Sequence, residues 1–238
     1  MLKTAVGFSY LALYLTSTLP ALRRAERLKT QGREEDRRRI LNRKAYGLVN
    51  SLSTLLGITY DIKGKENIPD CPVLYAANHQ GIFDAMVMLV KMREPCGFLI
   101  KKEAASIPIL SRWMREMGCV FVDRQNPREA VKAVSEGVEI IKSGRSLVVF
   151  PEGKRSRSSE IGEFKNGAFK IAQRAGCPVV PVLIDGTYKI WEERKRLRKA
   201  NIKIRILPFV EVKSMSREEF KSIAPKVRQM IEEAKENA

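Results

Sequence analysis

His79 is the only histidine in the 238-residue chain, and Asp84 follows it across Gln80, Gly81, Ile82 and Phe83. A separation this short lets the carboxylate reach one ring nitrogen of the imidazole. That contact fixes the tautomer and leaves the other nitrogen basic, the arrangement of a general base with its orienting acid. Imidazole titrates near neutral pH, which suits such work. As an isolated pair, the two residues read as readily as a loop histidine and a helix N-cap. The rest of the chain has to decide between them.

Two other stretches carry unusual chemistry. "FPEGKRSRSSE" (150–160) sets Glu152 between Pro151 and Gly153, then interleaves Lys154, Arg155 and Arg157 with serines. Backbone amides, hydroxyls and cations on one turn make an anion site of the kind phosphates select. A solvated basic loop would account for the cations, but not for a glutamate inside a Pro-Gly turn. "CVFVDR" (119–124) closes on Asp123 and Arg124, and Lys101 and Lys102 close "GFLI" in a similar position. A strand-end arginine is more commonly a surface ion-pair partner. Cys71, Cys96, Cys119 and Cys177 form no Cys-x-x-Cys pair. With one histidine they supply no metal-ligand set and read as small buried thiols in a reducing compartment.

The elements that must position these groups are legible as alternating patterns. Short β-type runs occur at 73–77, 97–100, 119–122, 147–150, 179–184 and 201–211. Helix-length stretches lie between most of them, at 84–93, 104–117, 127–143, 164–175 and 216–236. Alternation of this kind predicts an α/β fold, a largely parallel or mixed central sheet flanked by helices. Asn126 as N-cap, Pro127 in the first turn and Gly144 past the end mark one helix clearly. Each candidate group then stands at the carboxyl end of a strand, where such sheets place their sites.

"NHQGIFD", "VFVDR", "FPEGKRS" and "VVPVLI", in this order and spacing, resemble the four sequence blocks of the glycerolipid acyltransferases, in particular the bacterial 1-acylglycerol-3-phosphate type. The resemblance covers about residues 60–185. It implies that His79 is the general base on the acceptor hydroxyl and that Asp84 orients it. It further implies that Arg124 binds the acceptor phosphate, that Glu152 and Gly153 lie against the acceptor, and that Arg155 stands near the phosphate. Lys101 and Lys102 are added to the phosphate side by their strand-end position. The implied reaction moves a fatty acyl group from a thioester, of acyl carrier protein or coenzyme A, to the 2-hydroxyl of lysophosphatidate, with no metal or redox cofactor. Other acceptors, such as glycerol-3-phosphate, another lysophospholipid or a glycolipid, are the alternative. Lys154 stands where these enzymes usually have threonine, and Gly81 where they often have serine. Both departures bear on specificity more than on reaction type.

The N-terminal segment has a different texture. Residues 5–22 carry no charge, whereas residues 23–44 hold ten Lys/Arg against four Asp/Glu. As a helix the first run would be about 27 Å long, short of a roughly 30 Å hydrocarbon core. A cleavable signal would show small residues where Leu22, Arg23 and Arg24 stand. Leu41, Ala45, Leu48, Leu52 and Leu55 then recur along one helical face. The expectation is a two-helix hairpin over residues 1–59, seated in one leaflet on the cytoplasmic side with its cations at anionic headgroups, before an acyltransferase domain over 60–238. Packing of the second helix on the domain is compatible with that arrangement.

The net charge of +17 calls for anionic partners. A basic nucleic-acid-binding protein is the alternative of a different class. Against it stand the absence of a recognised binding motif and the 7% aromatic content, so membrane lipids are the expected partners and nucleic acid is not.

Overall fold

The computed structural model describes residues 2–92, 95–123 and 126–237. Its centre is a seven-stranded sheet built from β1 (Ile58–Lys63), β2 (Leu74–Ala77), β3 (Gly97–Lys101), β4 (Val120–Val122), β5 (Leu147–Val149), β6 (Val179–Asp185) and β7 (Ala200–Ile206). They lie in the order β1-β7-β6-β2-β5-β3-β4. The five strands from β6 to β4 run parallel, and β7 pairs antiparallel to β6 with β1 parallel beside it. The sheet is therefore mixed but largely parallel. The carboxyl ends of β2, β3, β4, β5 and β6 share one edge.

The core follows from the period-2 alternation of strand side chains. In β2, Tyr75 and Ala77 face one layer while Leu74 and Ala76 face the other. The first layer receives Val87 and Met88 from α4 (Asp84–Lys91) and Leu52 and Leu56 from α3 (Glu34–Leu56). The second receives Val138 and Ile141 from α6 (Pro127–Lys142), Ile171 from α7 (Lys170–Ala175), and Ile223, Val227 and Ile231 from α9 (Ile223–Glu236). All four residues of β2 are buried, as a central strand covered on both faces requires.

Three helical stretches depart from the sequence reading for local reasons. The 104–117 stretch divides at Pro108 into a 3-10 turn and α5 (Leu110–Glu116). The 216–236 stretch divides at Ser222 into α8 (Arg217–Lys221) and α9. The 164–175 stretch opens as a 3-10 turn before α7. β1 was not expected: only Ile58 of its six residues is fully buried, and Asp61 and Lys63 weaken its apolar signal. β7 ends at Ile206, ahead of Pro208, short of the expected run to 211. The Asn126 cap is present, its side chain accepting from the Arg128 amide at 3.0 Å.

The N-terminal hairpin has a bent first arm. α1 (Leu2–Ser17) and α2 (Leu19–Thr30) meet at 45°, with Pro20 tolerated in the first turn of α2. Among the described residues, no single helix is long and apolar enough to cross a membrane. The return arm, α3, opens on Glu34, Glu35 and Asp36, which the helix N-terminus favours. It closes at Gly57, whose φ of 73° suits a left-handed C-terminal residue and turns the chain into β1. The buried stripe of α3 runs Leu41, Ala45, Val49, Leu52, Leu56; Leu48 is half-buried and Leu55 exposed. α3 thus packs on the sheet and on α5. Arg37 donates to Glu116 Oε2 at 2.8 Å and to its carbonyl at 2.6 Å, while Trp113 fills the space between Leu22, Ala25 and Leu41.

Candidate active site

The site begins where β2 ends. Beyond the last ladder pair, Ala77 with Val182, the side chain of Asn78 continues the pairing. It donates to the Ile184 carbonyl at 2.9 Å and accepts from the Ile184 amide at 2.8 Å. Gln80 extends the same seam, accepting from the Gly186 amide at 2.9 Å and donating to Asp185 at 3.2 Å. The turn that carries His79 is therefore tied on both sides of the histidine to the end of β6.

His79 Nδ1 lies 2.7 Å from Asp84 Oδ2. Because a carboxylate only accepts, the proton of this bond sits on Nδ1 and Nε2 is left as the basic atom. Asp84 is the first residue of α4 and is fully buried. Its Oδ2 also accepts from the Gly81 amide at 2.8 Å, and its Oδ1 accepts from the Thr187 hydroxyl. Three donors thus converge on one carboxylate, and its position at the helix start is electrostatically favourable. The imidazole is stacked on Phe150, with ring centroids 4.1 Å apart and planes 14° apart. His79 is held at its edge by Asp84 and on its face by Phe150, and its side chain keeps 16% of its surface open.

The loop after β5 is laced onto this turn. Glu152 accepts from the His79 amide at 2.7 Å through Oε1 and from the Gly162 amide at 3.1 Å through Oε2. The Ser156 and Arg157 amides donate to the carbonyls of His79 and Gln80 at 2.8 and 3.1 Å. Burial pushes the Glu152 carboxyl above the usual range, and the two backbone donors act in the opposite direction. Both of its oxygens are engaged by the protein itself, so this glutamate joins the two loops. Gly153 takes φ 74°, allowing the sharp turn beside it. Arg155 reaches Glu192 Oε1 with Nη1 at 3.3 Å and keeps 37% of its side chain exposed.

Lys101 and Lys102 are exposed at the carboxyl end of β3, and the Lys101 ammonium lies 2.6 Å from Glu103. Arg124 lies outside the described residues. His79, Asp84, Glu152, Gly153 and Arg155 are brought together, while Lys101 and Lys102 occupy the same sheet edge two strands from β2. Thr187 and Glu192 belong to the site without having been signalled by any motif. The Thr187 position after "VVPVLIDG" would have been the available hint.

Beside α4 lies an apolar cavity of about 160 Å³. Tyr14 and Leu15 of α1, Leu48 of α3, Ala85, Met86 and Leu89 of α4, Phe98 of β3 and Trp113 of α5 line it. The cavity lies between the hairpin, α4, α5 and the β3 side of the sheet.

A family model described as Acyltransferase matches residues 59–185, a stretch that contains every block from the His79 turn to β6. The chain belongs to the acyltransferase family. Relatives within the family carry one name repeatedly. A probable 1-acyl-sn-glycerol-3-phosphate acyltransferase of Mycoplasma pneumoniae is 36% identical over 164 residues, covering 67% of this chain and 62% of that one. The 1-acyl-sn-glycerol-3-phosphate acyltransferase of Saccharomyces cerevisiae is 33% identical over 191 residues, covering 78% and 63%. The match therefore spans somewhat less than two thirds of these relatives' own length. A crystal structure of the 1-acyl-sn-glycerophosphate (LPA) acyltransferase PlsC from Thermotoga maritima superposes with a TM-score of 0.83 at 28% identity. It covers 98% of this acyltransferase chain and 95% of its own, so the likeness extends to the helical hairpin as well as the sheet.

Proposed function

We propose that this protein transfers a fatty acyl group from an acyl thioester to the 2-hydroxyl of 1-acyl-sn-glycerol-3-phosphate, giving phosphatidate. The observation that carries the reading is the His79–Asp84 pair, with Nδ1 engaged at 2.7 Å and Nε2 left basic at the carboxyl edge of the sheet. In the reaction Nε2 takes the proton from the acceptor hydroxyl as its oxygen attacks the thioester carbonyl. The new ester C–O bond forms, the C–S bond breaks, and the departing thiolate recovers the proton from the imidazolium. The acceptor oxygen is the nucleophile, so the scheme uses no protein nucleophile and draws on no cofactor.

Arg155 serves the acceptor phosphate, together with Arg124, to which its sequence block assigns that role, and Lys101 or Lys102. Glu152 holds the phosphate-side loop to the His79 turn. The apolar cavity beside α4 suits an acyl chain. Exposed Val6, Phe8 and Leu13 on α1, with Leu55 on α3 and Ile82 in the His79 turn, suit seating in one leaflet. The enzyme then works as a monotopic protein on the cytoplasmic face, drawing a membrane amphiphile in sideways and meeting acyl carrier protein or coenzyme A thioester from the water side. Purified protein assayed against lysophosphatidate, glycerol-3-phosphate and other lysophospholipids, with both thioester types, tests the reading. Phosphatidate as the main product is expected. Turnover confined to another acceptor would overturn it.

A further inference from the structure

In the turn after β6, where Lys189, Arg194, Lys195, Arg196 and Arg198 outnumber the acidic groups, stands Glu192. Its side chain is nonetheless 1% exposed. Oxygen Oε1 accepts from the Ile82 amide at 2.8 Å, inside the turn between His79 and Asp84. The same oxygen receives Arg155 Nη1 at 3.3 Å. One atom therefore joins the loop that holds the base to the loop that carries a phosphate-side cation. The other oxygen, Oε2, is buried and has no hydrogen-bond partner among the described residues. It sits over Gly81, where an added Cβ would come within 2.5 Å of it.

A buried carboxylate with an unpaired oxygen is a costly way to fill space. A neutral side chain would serve packing better, so the reason for this residue lies in what Oε1 holds. A guanidinium has five N–H donors, and among the described residues this is the one hydrogen bond Arg155 makes. The group can keep Nη1 on Glu192 and present its remaining donors to an anion.

We propose that Glu192 is a positioning residue: it fixes the guanidinium of Arg155 relative to the His79 turn and so sets where the acceptor phosphate is held. Gly81 belongs to the same device, because a side chain there would displace the carboxylate. The inference rests on the reading of lysophosphatidate as acceptor. A carboxylate also repels a phosphate, so the proposal asserts that orienting Arg155 outweighs that repulsion. The direction of the KM change decides between the two.

The test is steady-state kinetics of the full-length protein in mixed micelles of lysophosphatidate, with thermal melts to confirm folding. Glu192→Gln keeps an acceptor for the Ile82 amide and weakens the contact to Arg155. It is expected to raise the KM for lysophosphatidate roughly tenfold, as loss of a charge-assisted contact does, with kcat and the thioester KM little changed. Arg155→Ala raises the same KM, and the double variant is no worse than Arg155→Ala alone. Gly81→Ala reproduces the rise in the wild type and adds nothing in the Arg155→Ala background. That pair carries the test by itself if Glu192→Gln does not fold. A KM that falls or stays constant in Glu192→Gln overturns the proposal, as do additive effects or a loss confined to kcat. Wild-type protein that fails to acylate lysophosphatidate overturns the underlying reading and this proposal with it. Wild-type activity with additive variants overturns the proposal alone.

Discussion

The Thr187 hydroxyl donates to Oδ1 of Asp84 while Oδ2 of the same carboxylate holds Nδ1 of His79. Thr187 is fully buried and comes from the segment just after β6, so the central sheet supplies a third member of the His79–Asp84 assembly. A carboxylate gripped from both sides cannot rotate away from the imidazole.

Thr187→Val keeps the shape of the side chain and removes the donor. The loss of one hydrogen bond to a buried carboxylate costs about 1–3 kcal/mol. Slower turnover with little change in either KM is the expected outcome, because Thr187 is fully buried and acts through Asp84. Steady-state kinetics beside an equilibrium melt check it, and an unchanged kcat would remove Thr187 from the assembly.

Glu152 gives a pH dependence whose sign is fixed. Burial raises its carboxyl pKa in the folded protein, so the folded state keeps a proton that the unfolded chain has already released. Stability from this group is present below the ordinary carboxylate range and is lost as pH rises through the raised value. Glu152→Gln removes that slope. It also turns an NH2 group toward one of the two backbone donors, His79 or Gly162, at a cost of about 1–3 kcal/mol. Urea denaturation at a series of pH values should show the wild-type decline and a flatter, lower variant curve.

The distances along the chain explain what could be read from sequence. His79 and Asp84 are five residues apart, so their contact is a local matter, and the four blocks placed Glu152, Gly153 and Arg155 at strand ends that the parallel strands bring together. Thr187 and Glu192 reach Asp84 and Ile82 across more than a hundred residues, through the pairing of β6 with β2. No periodicity announces such a contact. Glu152 shows the complementary limit: its position in the turn was legible, but not that two backbone amides would occupy both oxygens. β1 escaped notice because a half-exposed strand with charged residues carries little apolar signal.

Arg37 and Glu116 clamp the hairpin to α5, and both are nearly free of solvent. Removing one partner of a buried pair leaves the other charge unpaired, a loss of about 3–5 kcal/mol. Arg37→Met leaves the Glu116 carboxylate buried with only Lys29, at 3.7 Å, among the described residues. In Glu116→Ala the guanidinium keeps Glu34 and the residue-116 carbonyl, so Arg37→Met is expected to destabilise more. Chemical denaturation of the two variants compares them.

Seating in a single leaflet makes a topological claim. Cys71, expected from the sequence to be a buried thiol, is exposed on the sheet domain. With it as internal reference, Lys3→Cys should be labelled from the same side of sealed vesicles. Labelling from the opposite side would make the bent α1–α2 pair a true span.

The central claim is that one imidazole, held by Asp84, removes the acceptor proton. The most direct measurement is phosphatidate formation by folded His79→Ala protein from lysophosphatidate and a fatty acyl thioester. With no second histidine in the chain, transfer is expected to vanish while the melting temperature stays close to that of the wild type. Turnover near the wild-type rate in a folded His79→Ala protein would contradict the account.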